Sequence, residues 1–236
     1  MLDLNRANLA DEEISVAINA LIERAEPPAT NVRQYLGASA IGSECLRRVQ
    51  YGWKHDAMHS TRLLDIFARG HYLEEVSRQH LRRAGFLFAA PERLGFKAAD
   101  GLFRGHADGI LIGGPDLPGT AYPCLWEHKG LNAKNWRALG RDGVEKTFPH
   151  YAAQIWLYQA YLDVADHPAI LTATNADTCE RLHIAVPFNV ERAQYWSDRA
   201  VMIIKATWSG ELLPRLTDDP EDWRCKMCGH RERCWR

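Results

Sequence analysis

The chain has 236 residues, 46% of them hydrophobic and 25% charged, with a formal net charge of −1. These values belong to an ordinary globular protein and exclude a disordered, collagen-like or coiled-coil chain. The near balance of charge leaves any contact with nucleic acid to local patches rather than to the field of the whole molecule.

One domain with a short appended segment is expected, because no Gly/Ser/Pro-rich linker divides the sequence and its length suffices for one sizeable core. The first residues carry Asp3, Asp11, Glu12 and Glu13 without the basic start and apolar run of a secretory signal. No stretch approaches the length of a membrane span. A cytoplasmic protein is therefore expected.

Residues Asp11 to Arg24 have helical periodicity, with Ile14, Ala17, Ile18, Leu21 and Ile22 on one stripe, and Pro27 and Pro28 stop the helix. Ser39 is placed to cap a second helix running through Cys45 to Trp53. A third, from Thr61 to Ala84, turns Leu64, Phe67, Leu73, Val76 and Leu81 inward and ends at Gly85. From Phe86 the pattern becomes strand-like, over Phe86 to Ala90, Leu94 to Ala98, Leu102 to Ile112 and Ala121 to Lys129, as in an antiparallel meander. Helical pattern returns from His150 to Asp163. Strands then follow over Ala169 to Thr174 and Glu180 to Pro187, before a last helix from Val190 to Trp208. Helices around one mixed sheet form an α/β or α+β layered architecture.

The segment Leu125-Trp126-Glu127-His128-Lys129-Gly130 carries the most chemistry. Residues two apart in a strand share a face, so Glu127 and Lys129 project together and His128 points the other way. Asp108 lies in the preceding strand region, inside Gly105-His106-Ala107-Asp108-Gly109, where small residues let backbones approach. Two acids and an ammonium that converge can hold a hard divalent cation and orient water at a phosphodiester. An acid-x-lysine pair also arises by chance on solvated strands. Here the apolar run before it puts the charges at a strand end near the core, where charges need partners.

Four ordered motifs together resemble the PD-(D/E)XK nuclease superfamily, in its RecB-like branch, from about Cys45 to Cys234. The first is Gly70-His71-Tyr72-Leu73-Glu74, with Glu74 matched by its spacing from the glycine and His71 as the other option. Relatives carry histidine at the place of Glu74. The second is Asp108, preceded by Ala107 where the family name has proline. The third is Glu127 with Lys129, and the fourth is Gln154 with Tyr158, which share one helix face at i and i+4. The resemblance implies a PD-(D/E)XK restriction-endonuclease-like core, with a central mixed β-sheet flanked by helices. It further implies Mg²⁺ or Mn²⁺ held by Asp108, Glu127, Glu74 and the main-chain carbonyl of His128, with Lys129, Gln154 and Tyr158 serving hydrolysis of DNA.

Three of the six cysteines, Cys225, Cys228 and Cys234, crowd the end of the sequence. A tetrahedral site needs a fourth ligand, and His230 and Cys45 are the candidates. Relatives with one early and three late cysteines, among them CRISPR-associated RecB-like exonucleases, hold a [4Fe-4S] cluster. The resemblance therefore implies such a cluster on Cys45, Cys225, Cys228 and Cys234, with zinc as the lesser alternative. In this reading residues 1–60 form a helical part contributing Cys45, 61–210 the nuclease core, and 211–236 a cluster-binding segment tied back to the N-terminal helix. Cys124 and Cys179 read as small core residues. Arg47, Arg48, Arg224, Lys226, Arg231, Arg233 and Arg236 would assemble into one basic patch for phosphates, with Trp223 and Trp235 placed to stack on bases.

The leading expectation is a metal-dependent deoxyribonuclease, an exonuclease acting on DNA ends or single strands. The alternative is a non-catalytic or partner-dependent iron-sulfur or zinc module that binds nucleic acid. No Gly-x4-Gly-Lys-Ser/Thr segment is present, so a helicase, or a recombination, phage or CRISPR protein, would be a partner rather than part of the chain.

Overall fold

The computed structural model describes residues 12–25, 34–55 and 61–236. Its helices are α1 (Glu12–Ala25), α2 (Leu46–Lys54), α3 (Thr61–Arg83), α4 (Ala133–Asp142), α5 (Val144–Thr147), α6 (Pro149–Tyr161), α7 (Val190–Trp208), α8 (Trp223–Lys226) and α9 (Arg231–Trp235). Its strands are β1 (Leu36–Gly37), β2 (Leu87–Phe88), β3 (Gly95–Ala98), β4 (Phe103–His106), β5 (Gly109–Gly113), β6 (Cys124–Leu131), β7 (Ala169–Asn175) and β8 (Arg181–Val186). No helix among the described residues is long and apolar enough to cross a membrane.

The stretch from Leu102 to Ile112, expected as one strand, is two strands in two sheets. β4 sits between β1 and β3 in a three-stranded sheet, whereas β5 belongs to a five-stranded sheet ordered β2-β5-β6-β7-β8. Ala107 and Asp108 fill the gap between them. The sheet is also no simple meander. β5 and β6 are antiparallel, but β6 and β7 are parallel, with Trp126 opposite Ile170 and Glu127 opposite Leu171. A parallel neighbour requires a crossover, and α4, α5 and α6 supply it.

β6 is buried on both faces, from Cys124 through His128, as a central strand covered by helices must be. α3 crosses one face closely: a Cβ on Gly130 would stand 3.2 Å from Leu73 Cδ1 and 3.9 Å from the Gly70 main chain. α6 fills the other face with Ala152, Ala153, Ile155 and Leu157, all buried against Leu125, Leu171, Ala173 and Ile203. Polar residues at this depth are confined to a few positions, and Glu127, His128 and Gln154 are among them.

Three helical expectations need correction. The α1 stripe of Ile14, Ile18, Leu21 and Ile22 is 44–61% exposed, since periodicity marks an apolar face without supplying its partner. The expected stop at Pro27 and Pro28 lies outside the described residues, as do Asp3 and Asp11. Ser39 falls in a 3-10 turn (Ala38–Ala40), and α2 begins only at Leu46 with Cys45 as its N-cap, the thiol accepting from Arg48 N at 3.4 Å. The chain crosses the start of α6 on the way, where a Cβ on Gly42 would collide with the His150 main chain. Along α3 only Leu73 of the five inward positions is fully buried.

The segment after α7 returns to α2. Gln50 donates to Glu211 O at 2.7 Å and accepts from Leu213 N at 3.0 Å, while Arg47 donates to Leu213 O at 2.7 Å.

Candidate active site

Strand alternation along β6 directs Glu127 and Lys129 to one side and Trp126 and His128 to the other. Glu127 is fully buried, and its Oε1 accepts from Lys129 Nζ and from Gln154 Nε2, both at 2.6 Å. Its Oε2 is buried and has no hydrogen-bond partner. Leaving a carboxylate oxygen unsatisfied at that depth costs about 1–3 kcal/mol or more, so it calls for a ligand.

Asp108 stands in the gap between β4 and β5. Its Oδ2 accepts from the His128 main-chain N–H at 2.8 Å and its carbonyl from Arg78 Nη2 at 2.9 Å, while Oδ1 has no partner among the described residues. Each of the two acids thus has one oxygen held by a donor and one left over. That pairing suits a hard cation, which takes carboxylate oxygens singly and keeps water on its other positions.

Glu74 comes from α3, 20% exposed, with Arg78 bonded to it and His71 3.9 Å away. His71 is 83% exposed and turned outward, so the structure places Glu74 nearer the pair. Burial raises the Glu74 carboxyl above its ordinary value, with the Asp108 charge adding to it and Arg78 opposing. Burial and then Asp108 likewise hold the Glu127 carboxyl well above the usual range, against the pull of Lys129. Burial pulls the Lys129 ammonium down, but the Glu127 and Asp108 charges outweigh it and keep the lysine protonated.

The acidic face is lined by α6. Gln154, 6% exposed, meets Glu127, and Tyr158, 2% exposed, lies one turn on along the same face of α6; burial and the Glu127 charge push its phenol up. Tyr158 fits because β4 has glycine beneath it: a Cβ on Gly105 would stand 2.5 Å from the Tyr158 ring. Tyr151 also belongs to this face. Its ring lies 5.1 Å from Lys129 Nζ and 4.2 Å from the His150 ring. In the sequence Tyr151 reads as one more aromatic on a core helix; its i, i+3, i+7 spacing with Gln154 and Tyr158 was the available signal.

On the opposite face of β6, the His128 imidazole meets Thr174 Oγ1 at 2.9 Å, and Thr174 meets Ser77 Oγ at 3.3 Å. Burial, with the charges of Lys129, Arg181 and Arg78, lowers His128 to about 3. It stays neutral and serves through its main chain.

The cysteines give two observations that differ. Burial raises the Cys225 thiol, and Asp222, Cys45, Cys234 and Cys228 all add to the shift, so the four thiols are electrostatic neighbours. Yet among the described residues no group of three or more His, Cys, Asp or Glu side chains is arranged to hold a metal ion. The second is the stricter geometric statement, and no distinct cluster-binding segment follows from the structure. His230 lies elsewhere, buried beside Gly52 and Tyr51 toward the far end of α2 from Cys45. Cys124 is buried as expected and held up to about 11, whereas Cys179 is exposed in the turn between β7 and β8, contrary to a core role.

The expected basic patch is largely neutralised. Arg224 pairs with Glu44 and Asp222, Lys226 and Arg231 with Glu221, and Arg236 with Glu232. Trp223 is 71% exposed, while Trp235 is covered by Arg215, whose guanidinium carbon lies 4.3 Å from the ring centre.

No family model matches the chain, and no curated protein sequence does. Among solved structures it is similar to an alkaline exonuclease, LHK-Exo, from Laribacter hongkongensis, at 12% identity with a TM-score of 0.55, covering 76% of this chain and 90% of that one. LHK-Exo in complex with dAMP matches at 12% identity and a TM-score of 0.53, covering 75% of this chain and 89% of that one. At this identity the likeness concerns the mixed sheet and its flanking helices.

Proposed function

We propose that the chain is a metal-dependent deoxyribonuclease that hydrolyses phosphodiester bonds, an exonuclease acting on DNA ends or single strands. The observation that carries this reading is the buried Glu127 carboxylate, one oxygen fixed by Lys129 and Gln154 and the other without a partner, with half-buried Asp108 held through Oδ2 by the neighbouring His128 N–H. The fold likeness to an alkaline exonuclease, also solved with dAMP, agrees with it.

The donor types suit Mg²⁺ or Mn²⁺, although among the described residues no three acidic side chains are already gathered around one point and Glu74 is bonded to Arg78: Asp108, Glu127, Glu74 and the His128 carbonyl would hold the ion, and it would supply Lewis-acid polarisation of the phosphoryl group and a more acidic water. Lys129 orients the attacking water and stabilises the charge that develops on phosphorus-bound oxygen. Gln154 keeps Glu127 from rotating its free oxygen away, and Tyr158 backs Gln154 from the next turn of α6. The new bond joins water oxygen to phosphorus as the bond from phosphorus to the leaving nucleotide oxygen breaks; the attacking water gives up one proton to solvent and the leaving oxygen takes one from solvent, Lys129 staying protonated throughout.

We further read Cys45, Cys225, Cys228 and Cys234 as ligands of a structural [4Fe-4S] cluster, with zinc the alternative. The mutual influence of their thiols supports it.

The test is incubation of protein purified without oxygen with end-labelled single- and double-stranded DNA in Mg²⁺, Mn²⁺ or EDTA. Metal-dependent degradation, lost in Lys129→Ala, is expected. Binding without cleavage in every metal would replace this reading by a non-catalytic nucleic-acid-binding module.

A further inference from the structure

We infer that Arg78 is a positioning residue for Asp108, fixing the acid through its main chain. The inference rests on the reading of Asp108 as a cation ligand. Asp108 lies between two strands of different sheets, so no strand ladder holds its backbone. Arg78 takes over that task from α3. Its Nη2 donates to Asp108 O at 2.9 Å and also to Glu74 Oε1, its Nη1 donates to Glu75 Oε2 at 2.7 Å, and its guanidinium carbon sits 5.7 Å from the Trp126 ring centre.

An arginine that only paired with Glu74 and Glu75 along its own helix would reach the site through Glu74 alone and leave Asp108 untouched. The bond to the Asp108 carbonyl is what sets this one apart. Two nitrogens of one planar fork reach a carbonyl and two carboxylates in different directions, a spread that the single nitrogen of a lysine does not reproduce.

The preceding residue reaches the same acid by another route. Ser77 meets Thr174, Thr174 meets the His128 imidazole, and the His128 N–H holds Asp108 Oδ2. One turn of α3 thus bonds the Asp108 carbonyl directly and, through β7, packs against the strand residue whose N–H holds Asp108 Oδ2. Groups behind a metal ligand typically change metal affinity by about 10–100-fold when removed.

The experiment is calorimetric titration of the full chain with Mn²⁺, without DNA, for wild type, Arg78→Lys, Arg78→Met and Glu75→Gln, with thermal unfolding in EDTA beside it. Both Arg78 variants should bind Mn²⁺ about 10–100-fold more weakly, while Glu75→Gln, which removes an ion pair but leaves the Asp108 contact, stays within about twofold. Should Arg78→Met fail to fold, Arg78→Lys carries the test. Mn²⁺ affinity unchanged in Arg78→Lys, with or without a fall in melting temperature, would make Arg78 structural and overturn the inference. A gain in affinity would overturn it too, since Arg78 would then be competing for Glu74. Wild type that binds no Mn²⁺ would instead overturn the reading of Asp108 as a ligand, and this inference with it.

Discussion

Gln154 Nε2 and Lys129 Nζ converge on one oxygen of Glu127 from two different elements, each at 2.6 Å, and leave the other oxygen bare. A helix and a strand thus set the direction of a single carboxylate. Gln154→Leu removes one of the two donors and puts an apolar side chain of roughly similar size in its place. Losing a hydrogen bond to a buried charged group costs about 1–3 kcal/mol, so urea unfolding at neutral pH should show a loss of that size. Cleavage should fall further than stability does, because Glu127 could then rotate its free oxygen away.

Lys129 and Glu127 form a buried pair, and its two halves are unequal. Removing Lys129 strands a carboxyl that burial already drives toward protonation. Lys129→Met should therefore destabilise by about 3–5 kcal/mol at most, and by less as pH falls and the carboxyl takes its proton. Adding Glu127→Gln should recover most of that loss. Chemical denaturation of the two single variants and the double one measures the coupling. A double variant no more stable than Lys129→Met would show that the pair is not the source of the cost.

The fold was legible where periodicity is long and punctuated. The span Val190 to Trp208 is the helix its pattern indicates, and β7 and β8 lie within a residue or two of their expected ends. Glu127, Lys129, Gln154 and Tyr158 come together because strand period 2 and helix period 3.6 already place them in pairs. What the pattern could not carry is pairing between distant segments. Leu102 to Ile112 is uniformly strand-like, so nothing local reveals that Ala107 and Asp108 pass from one sheet to another. Arg78 reads as the i+4 partner of Glu74, which it is, but its bond to Asp108 spans 30 residues. The basic patch failed mostly on nearer ground: Glu221, Asp222 and Glu232 pair with Lys226, Arg231, Arg224 and Arg236 within ten residues, and only Glu44, 180 residues from Arg224, is a distant partner.

His128 gives the protein an acid-sensitive core. Its folded value is about 3 against an ordinary 6.5, a depressed histidine. Above pH 6.5 it is neutral in both states and contributes nothing to the pH dependence. Below pH 6.5 the unfolded chain takes a proton that the folded one refuses, so stability is lost as pH falls, at about 1.4 kcal/mol per unit, down to about pH 3. Between pH 7 and pH 5 that amounts to about 2 kcal/mol. His128→Gln, which can still reach Thr174, should lose about that much less over the same interval in urea denaturation. Equal losses in the two proteins would count against a buried neutral imidazole.

Two glycines should respond in opposite directions to alanine. Around Gly70, in the interior of α3, a Cβ would meet nothing within 4 Å, so Gly70→Ala should stabilise by about 0.5–1 kcal/mol through reduced backbone entropy. At Gly105 the Cβ would fall against the rings of Phe96 and Tyr158. Gly105→Ala should cost about 1–3 kcal/mol in overpacking and, because Tyr158 is displaced, lower cleavage as well. Melting temperatures in EDTA and cleavage rates of the two variants decide it. A Gly105→Ala protein as stable and active as wild type would mean that Tyr158 has room to move.

Hydrogen bonds and the proposed cluster would hold different parts of the C-terminal segment. Gln50 and Arg47 fasten residues 211–213 to α2 by hydrogen bonds, whereas Cys225, Cys228 and Cys234 lie farther along, around α8 and α9, where Arg224 also pairs with Glu44 beside Cys45. Under the proposed cluster, Cys45→Ser should lower iron content and free the segment beyond Arg215 to proteolysis while residues up to Leu213 stay protected. Gln50→Ala should do the reverse: iron retained, with a loss of about 1–3 kcal/mol from the buried main-chain groups it leaves unpaired. Limited proteolysis with mass spectrometry, alongside iron and zinc analysis of protein purified without oxygen, distinguishes them. Iron and zinc both absent from wild type, with the end of the chain equally protected in Cys45→Ser, would leave the hydrogen bonds to α2 as the fastening of the C-terminus.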